Sequence, residues 1–199
     1  MLLLLSLFNF TIGGKCMDLF EKTLSTKEIY NGSFFTVEKL EVLLPDGNKS
    51  TREIVRHCGA VALIALTKNE KILFVEQFRK PIDKVLFEIP AGKLEINEDP
   101  VECARRELEE ETGYTSKDVE FLGKSAMTPG FCDEMMYFYY ADNLSQGLKG
   151  GDEDEFINVH EFTLDEINLM ISKGEIIDSK TITGIKLFEI MKKQKNKMF

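Results

Sequence analysis

Glu98, Arg106, Glu107, Glu110 and Glu111 fall within one short stretch, residues 92–114, that reads GKLEINEDPVECARRELEEETGY. Glutamates three and four apart on a helix repel one another, and carboxylates near a helix C-terminus oppose its macrodipole. The glutamate run at 109–111 is therefore poorly placed for stability alone. A hard divalent cation offsets such a cluster, because Mg2+ prefers carboxylate oxygens and shares its shell with substrate phosphates. Arg106 lies four residues from both Glu102 and Glu110 and can orient part of the cluster. A solvated acidic helix face laced with ion pairs would account for the glutamates. It does not account for Gly92, Glu98 and Gly113 at their offsets from them.

The local signals place these groups on a loop that runs into a helix. Asp99 suits the N-cap, Pro100 the first helical position, Glu102 the carboxylate of a capping box, and Gly113 the stop. Val101, Ala104 and Leu108 give the helix a narrow apolar stripe. Upstream, residues 33–44 and 50–56 flank the turn Pro45-Asp46-Gly47-Asn48 and predict a hairpin or small antiparallel sheet, too small to stand alone. Residues 60–66 (AVALIAL) and 72–78 read as apolar strands about a polar turn, and 85–89 leads through Pro90-Ala91-Gly92 into the charged stretch. Downstream, 119–125 and 135–141 read as strands joined by MTPGFCDE, 143–155 as an acidic loop, and 156–162 as a last strand. A helix opened by Thr163 carries Leu164, Ile167, Leu169, Met170 and Ile171 and stops at Gly174. A second, 179–192, turns Ile182, Ile185, Phe188 and Met191 inward, and the basic KKQKNK tail after it frays into solvent. Strands before and after a central helix, then terminal helices, predict a mixed sheet between helical layers.

With 199 residues, 43% hydrophobic and 30% charged, the chain suits one globular domain with an N-terminal appendage. A net charge of −9 argues against a nucleic-acid backbone as partner, since polyanions are bound by basic surfaces. A small anionic ligand remains open to it where metal ions invert the local charge. Cys16, Cys58, Cys103 and Cys132 show no paired spacing, which points to reduced thiols in a cytoplasm. The leader MLLLLSLFNFTIGGKC has no basic residue before its apolar run, no small-x-small cleavage site, and too few apolar residues to span a membrane. We expect translation to start at Met17, with 1–16 a non-native leader, because Gly13-Gly14 can encode a purine-rich ribosome-binding sequence. An N-terminal β subdomain at 17–57 and a catalytic domain at 58–199 then follow.

The stretch 92–114 resembles the Nudix box of the Nudix hydrolases at every defining position. That resemblance implies an α/β fold, the Nudix-type alpha/beta/alpha sandwich with a mixed sheet, beside the small N-terminal antiparallel sheet. It implies two to three Mg2+ ions, or Mn2+, with Glu107 and Glu111 as principal ligands, Glu110 and the Ala91 carbonyl completing the set, and Glu98 nearby. Glu111 and Arg106 would belong to the catalytic machinery. The flanks REIVRHCGAVALIAL, VEQFRKP, FEIPAGKLE, TPGFCDE and DEDEFINV are similar to the ADP-ribose pyrophosphatase branch, as is Pro129, sixteen residues beyond Gly113.

Carried over residue by residue, Arg52 and Arg79 would bind substrate, their guanidinium forks suiting phosphate. Glu134 would accept hydrogen bonds from the terminal ribose. One ring of Phe34-Phe35, Phe34 foremost, would stack on the adenine. The base would be Glu153 or Glu155 of the late acidic loop, the choice left open. Plainer roles compete: a strand-end charge for Arg79, an ion pair with Glu53 for Arg52, and packing for the two rings. The implied reaction is attack by a metal-activated water on one phosphorus, giving AMP and ribose 5-phosphate. The branch also implies a homodimer with exchanged N-terminal sheets, and no membrane partner. Hydrolysis of another nucleotide sugar such as GDP-mannose is the alternative, and a non-catalytic ADP-ribose-sensing module a second.

Overall fold

In the computed structural model residues 18–148 and 156–197 are described. The leader, Met17, Cys16, and the acidic run with Glu153 and Glu155 lie outside them.

Three strands open the described chain: β1 (Lys22–Asn31), β2 (Phe35–Leu43) and β3 (Lys49–His57), an antiparallel sheet in the order β1-β2-β3. The β2–β3 turn forms where the sequence signals it, with the Asp46 carboxylate accepting from the Asn48 amide at 2.9 Å. β1 was not legible as a strand. All ten of its residues are exposed, so KTLSTKEIYN carries no buried face from which a period of two could be read. The buried side chains of this sheet are Leu40 and Val42. Two such residues contribute about 3–6 kcal/mol by burial. Ordering strands of nine or ten residues costs about 1–2 kcal/mol per residue, so the sheet does not hold itself together.

The rest of the chain supplies the core. β4 (Ala60–Ala65), β5 (Ile72–Arg79), a 3-10 turn at Lys80–Ile82, β6 (Lys84–Glu88) and β7 (Ala91–Lys93) precede helix α1 (Pro100–Thr112). β8 (Tyr114–Thr115), β9 (Asp118–Ala126), β10 (Met135–Asp142), β11 (Ser145–Gln146) and β12 (Asn158–Phe162) come next, then helices α2 (Leu164–Lys173) and α3 (Ser179–Lys195). One sheet runs β7-β4-β10-β9, mixed because β4 and β10 are parallel and the other pairs antiparallel. A second runs β12-β5-β6, and β8 pairs with β11.

Every residue of β4 is buried, which requires cover on both faces. Val61, Leu63 and Ala65 pack with Cys103, Ala104 and Leu108 of α1. Ala60, Ala62 and Ile64 pack on the opposite face with Ile167 of α2 and with Ile185 and Phe188 of α3. β10 alternates in the same way, Phe138 to one side and Tyr139 and Ala141 to the other. The result is the expected alpha/beta/alpha sandwich with a mixed sheet.

The helix ends explain why the chain stops and turns where it does. The Asp99 side chain accepts from the Val101 amide at 2.9 Å, Pro100 starts α1, and Gly113, at φ 72°, ends it in the left-handed conformation glycine adopts at little cost. The capping box expected of Glu102 does not form; its carboxylate sits 3.5 Å from Arg105 Nε instead. α2 does carry a capping box, between Thr163 and Glu166. In α3 the inward face departs from the apolar stripe: Ile182 is 38% exposed, whereas Lys180, Thr181 and Gly184 are buried. The helix continues through Lys195, and Lys192 and Lys195 reach Glu70 and Glu120, so part of the basic tail is ordered rather than frayed. Among the described residues no helix is long and apolar enough to cross a membrane.

Candidate active site

α1 packs its apolar face on β4 and turns three of its glutamates, Glu107, Glu110 and Glu111, with Arg106, toward an open cleft of about 1200 Å3. Arg106 gathers the carboxylates. Its Nε and Nη2 donate to Glu98 at 3.0 and 3.1 Å, and its Nη1 donates to Glu107 at 2.7 Å and Glu110 at 2.9 Å. The partner expected in Glu102 is not among these; Glu98 takes that place from the preceding loop. The Arg106 hydrogen bond draws the Glu98 carboxyl down to about 2, and Glu98 in turn pushes the guanidinium up. Beneath them burial pushes the Cys103 thiol well above its ordinary value, so it is packing and no nucleophile.

Glu111, 8% exposed, accepts from the Ala91 amide at 2.8 Å, which ties the helix to β7. Gly92 is needed beside it. A Cβ there would stand 1.9 Å from Cδ and Oε1 of Glu107, so the carboxylate occupies the space a side chain would fill. Here Glu107 and Glu110 turn to Arg106 and Glu111 to an amide, and among the described residues no three His, Cys, Asp or Glu side chains stand in metal-holding geometry. The donor set nevertheless suits a hard cation. Carboxylates from successive positions of one helix face converge on backbone that glycine keeps open, and all ligands would be oxygens.

The other walls carry cations and rings. Arg79, at the end of β5, donates through Nε and Nη2 to Glu88 at 2.8 and 2.7 Å, and Glu88 raises its basicity further. Lys180 of α3 lines the same wall. Arg56 lines the cleft from β3, held by Glu38 at 2.8 Å and Asp133 at 3.1 Å. Arg52 does not line it. It pairs with Glu21 rather than with Glu53, and it lies opposite Leu40, whereas Arg56 lies opposite Thr36 at the cleft end of the strand. Within this chain the β3 cation that lines the cleft is thus Arg56, and nothing local in the sequence distinguishes it from Arg52.

Phe34, 49% exposed, lines the cleft with Lys93 Nζ 4.8 Å from its ring centroid and Phe35 edge-on at 4.9 Å. Glu134 lines it too, from a loop that β3 holds: the Val55 amide donates to the Phe131 carbonyl at 2.7 Å, and the His57 amide to Asp133 at 2.9 Å. Glu134 lies 3.9 Å from His57 Nδ1, too far for a hydrogen bond, and that nitrogen already accepts from the Gly59 amide at 3.1 Å. Ahead of the acidic run, the Leu148 amide donates to Glu109 of α1 at 2.8 Å. Glu153 and Glu155 themselves lie outside the described residues.

Residues 56–183 match the model of the NUDIX domain, and residues 21–55 that of the nucleoside diphosphate sugar hydrolase N-terminal domain. The chain is 48% identical to a methanol dehydrogenase activator of Bacillus methanolicus, over 89% of this chain and 97% of that one. It is 43% identical to an ADP-ribose pyrophosphatase of Bacillus subtilis, over 87% and 95%. It is 34% identical to a GDP-mannose pyrophosphatase of Yersinia enterocolitica, over 82% and 92%. A solved structure described as an ADP compounds hydrolase superposes with a TM-score of 0.80 at 20% identity, covering 92% of this chain and 98% of the other.

Proposed function

Because this chain belongs to the NUDIX domain family, we propose that it hydrolyses the pyrophosphate bond of ADP-ribose to AMP and ribose 5-phosphate. The observation that carries the reading is a single cleft that sets three box carboxylates, Glu107, Glu110 and Glu111, together with Arg79, Arg56 and the exposed ring of Phe34. Carboxylates and cations in one cleft suit a diphosphate attacked beside divalent metal, and the ring suits a base. The 43% identity to an ADP-ribose pyrophosphatase over most of both chains supports the same substrate.

In this reading Glu107, Glu110 and Glu111, with Glu98 and the Ala91 carbonyl, hold two to three Mg2+ or Mn2+ ions. Bound there, such ions stabilise charge on the attacking and leaving oxygens of the displacement. Arg106 keeps the carboxylates oriented between turnovers. Arg79 and Arg56 hold the diphosphate, Phe34 faces the adenine, and Glu134 accepts from the terminal ribose. Glu153 or Glu155 takes the proton from the attacking water as its oxygen bonds to phosphorus and the bridging P–O bond breaks.

The working form in this reading is a cytoplasmic homodimer that exchanges its N-terminal sheets. A sheet with Leu40 and Val42 as its buried side chains, and with Leu24, Ile29 and Tyr30 exposed on β1, has apolar surface to cover. It would also bring Arg52 within reach of a second copy. Sedimentation at micromolar concentration should give twice the chain mass; a monomer removes the proposal. Fractionation of native cells tests the compartment.

Similarity to a GDP-mannose pyrophosphatase and to a methanol dehydrogenase activator favours testing other nucleotide sugars and NADH beside ADP-ribose. With Mg2+, ADP-ribose should be cleaved fastest, and chelation should abolish the reaction. Preference for another compound overturns the substrate, and silence across the panel overturns hydrolysis in favour of ADP-ribose sensing.

A further inference from the structure

Glu88 ends β6 with 1% of its surface exposed, and a carboxylate so deep is costly unless cations meet it. Two do: Arg79 through Nε and Nη2, and Lys180 through Nζ. Burial works to raise the Glu88 carboxyl, but the Arg79 hydrogen bond and the charge of Lys180 override it and hold the carboxyl below its ordinary value. Lys180 stands in the first turn of α3, where a cation opposes the helix macrodipole.

Lys180 also reaches the N-cap Asp178 at 3.0 Å, but the helix has an anchor besides it. The Thr181 hydroxyl accepts from the Ile89 amide at 3.0 Å and donates to the N-cap Asp178 at 2.6 Å, which already stitches α3 to the strand end. What Glu88 and Lys180 add lies at the cleft. Arg79 and Lys180 both line it and Glu88 stands behind them, so the cations front a buried anion. Since Glu88 takes the Nε hydrogen and one on Nη2, both Nη1 hydrogens and the second on Nη2 are left for a ligand. A fork fixed in advance loses less rotamer freedom on binding.

We propose that Glu88 and Lys180 are positioning residues for the diphosphate: Glu88 clamps Arg79 so that its Nη1 and outer Nη2 hydrogens are kept for phosphate oxygens, and Lys180 holds the Glu88 carboxylate against that fork. The proposal rests on the pyrophosphatase reading above, because it needs a diphosphate in the cleft. A residue that acts through Arg79 loses its effect once Arg79 is gone, whereas a structural residue does not.

The test is a set of mutant cycles read in KM for ADP-ribose with Mg2+, combining Glu88→Gln, Lys180→Met and Lys180→Arg with Arg79→Met, with a thermal melt of each variant. Glu88→Gln and Lys180→Met should each raise KM about tenfold, more than kcat falls, and Lys180→Arg should restore most of it. In the Arg79→Met background neither substitution should raise KM further. Equal effects in both backgrounds, or a lowered melting temperature with unchanged KM, overturn the proposal. Should Glu88→Gln not fold, the Lys180 arms decide the question alone. A wild-type protein inert toward ADP-ribose sinks the underlying reading instead, while an active wild type with additive variants sinks only this inference.

Discussion

Gly92→Ala separates catalysis from stability in a single methyl group. The new Cβ would stand 1.9 Å from Glu107 Cδ and Oε1 and 2.3 Å from Oε2. To reach ordinary contact near 3.4 Å the carboxylate must retreat by roughly 1.5 Å. The retreat is inexpensive to the fold, because the obstructing atoms end a flexible side chain, and Gly92 does not hold a positive φ. Replacing glycine by alanine also restricts the unfolded chain, worth about 0.4–1 kcal/mol in favour of folding, which partly cancels any strain. The chemistry tolerates less, since misplacing a catalytic group by about 1 Å costs on the order of 100-fold. The variant should therefore melt within about 3 °C of the wild type, a shift of under about 1 kcal/mol for a chain of this size. Its kcat for ADP-ribose with saturating Mg2+ should fall by about 100-fold. A correctly folded Gly92→Ala protein that keeps a third or more of wild-type kcat would refute the argument that Glu107 acts from where the structure puts it.

Two further outcomes follow from the same geometry. Glu111→Gln keeps an oxygen to accept from the Ala91 amide but loses the charge that would bind metal, so melting should be preserved while turnover falls by orders of magnitude; near-normal turnover removes Glu111 from the machinery. Because the native Glu88 carboxyl lies below its ordinary 4.5, its stabilisation is complete above about pH 4.5 and is lost as the pH falls through the lowered native value. Calorimetry with chelator from about pH 6 to pH 3 should show a steeper acid loss of melting temperature in the wild type than in Glu88→Gln, and parallel curves would rule out an ionised native Glu88.

The parts of the fold legible in the sequence are those whose signals are local. Asp99 and Pro100 open α1 and Gly113 closes it, and the AVALIA run announces an apolar strand. What escaped depends on partners far along the chain. Ile182 fits the apolar stripe of α3 but is exposed, because the helix face is set by Thr181, whose hydroxyl accepts from the Ile89 amide just beyond β6. Arg52 and Arg56 sit on the same face of β3, four residues apart, and only the register against β2 shows which lies at the cleft. Glu102 offers a capping box that Asp99 does not need, its own bond going to the Val101 amide. The box carboxylates were legible in type and number, as was the pairing of Arg106 with Glu110, but the hold of Glu98 on Arg106 was not, since Glu98 reaches it from outside the helix.

The cleft draws on two parts of the chain that tolerate mutation unequally. Glu107 and Glu111 stand on a helix whose other face is welded to β4, so nearby substitutions disturb the core and are purged for instability. Phe34, Phe35 and Arg56 reach the same cleft from beside or within a sheet whose buried side chains are Leu40 and Val42, where changes are inexpensive to the fold. Variation can therefore accumulate on the wall that would meet base and sugar while the hydrolytic wall stays fixed. A lineage with this architecture can exchange one nucleotide sugar for another by drift along β2 and β3, without passing through an unstable ancestor.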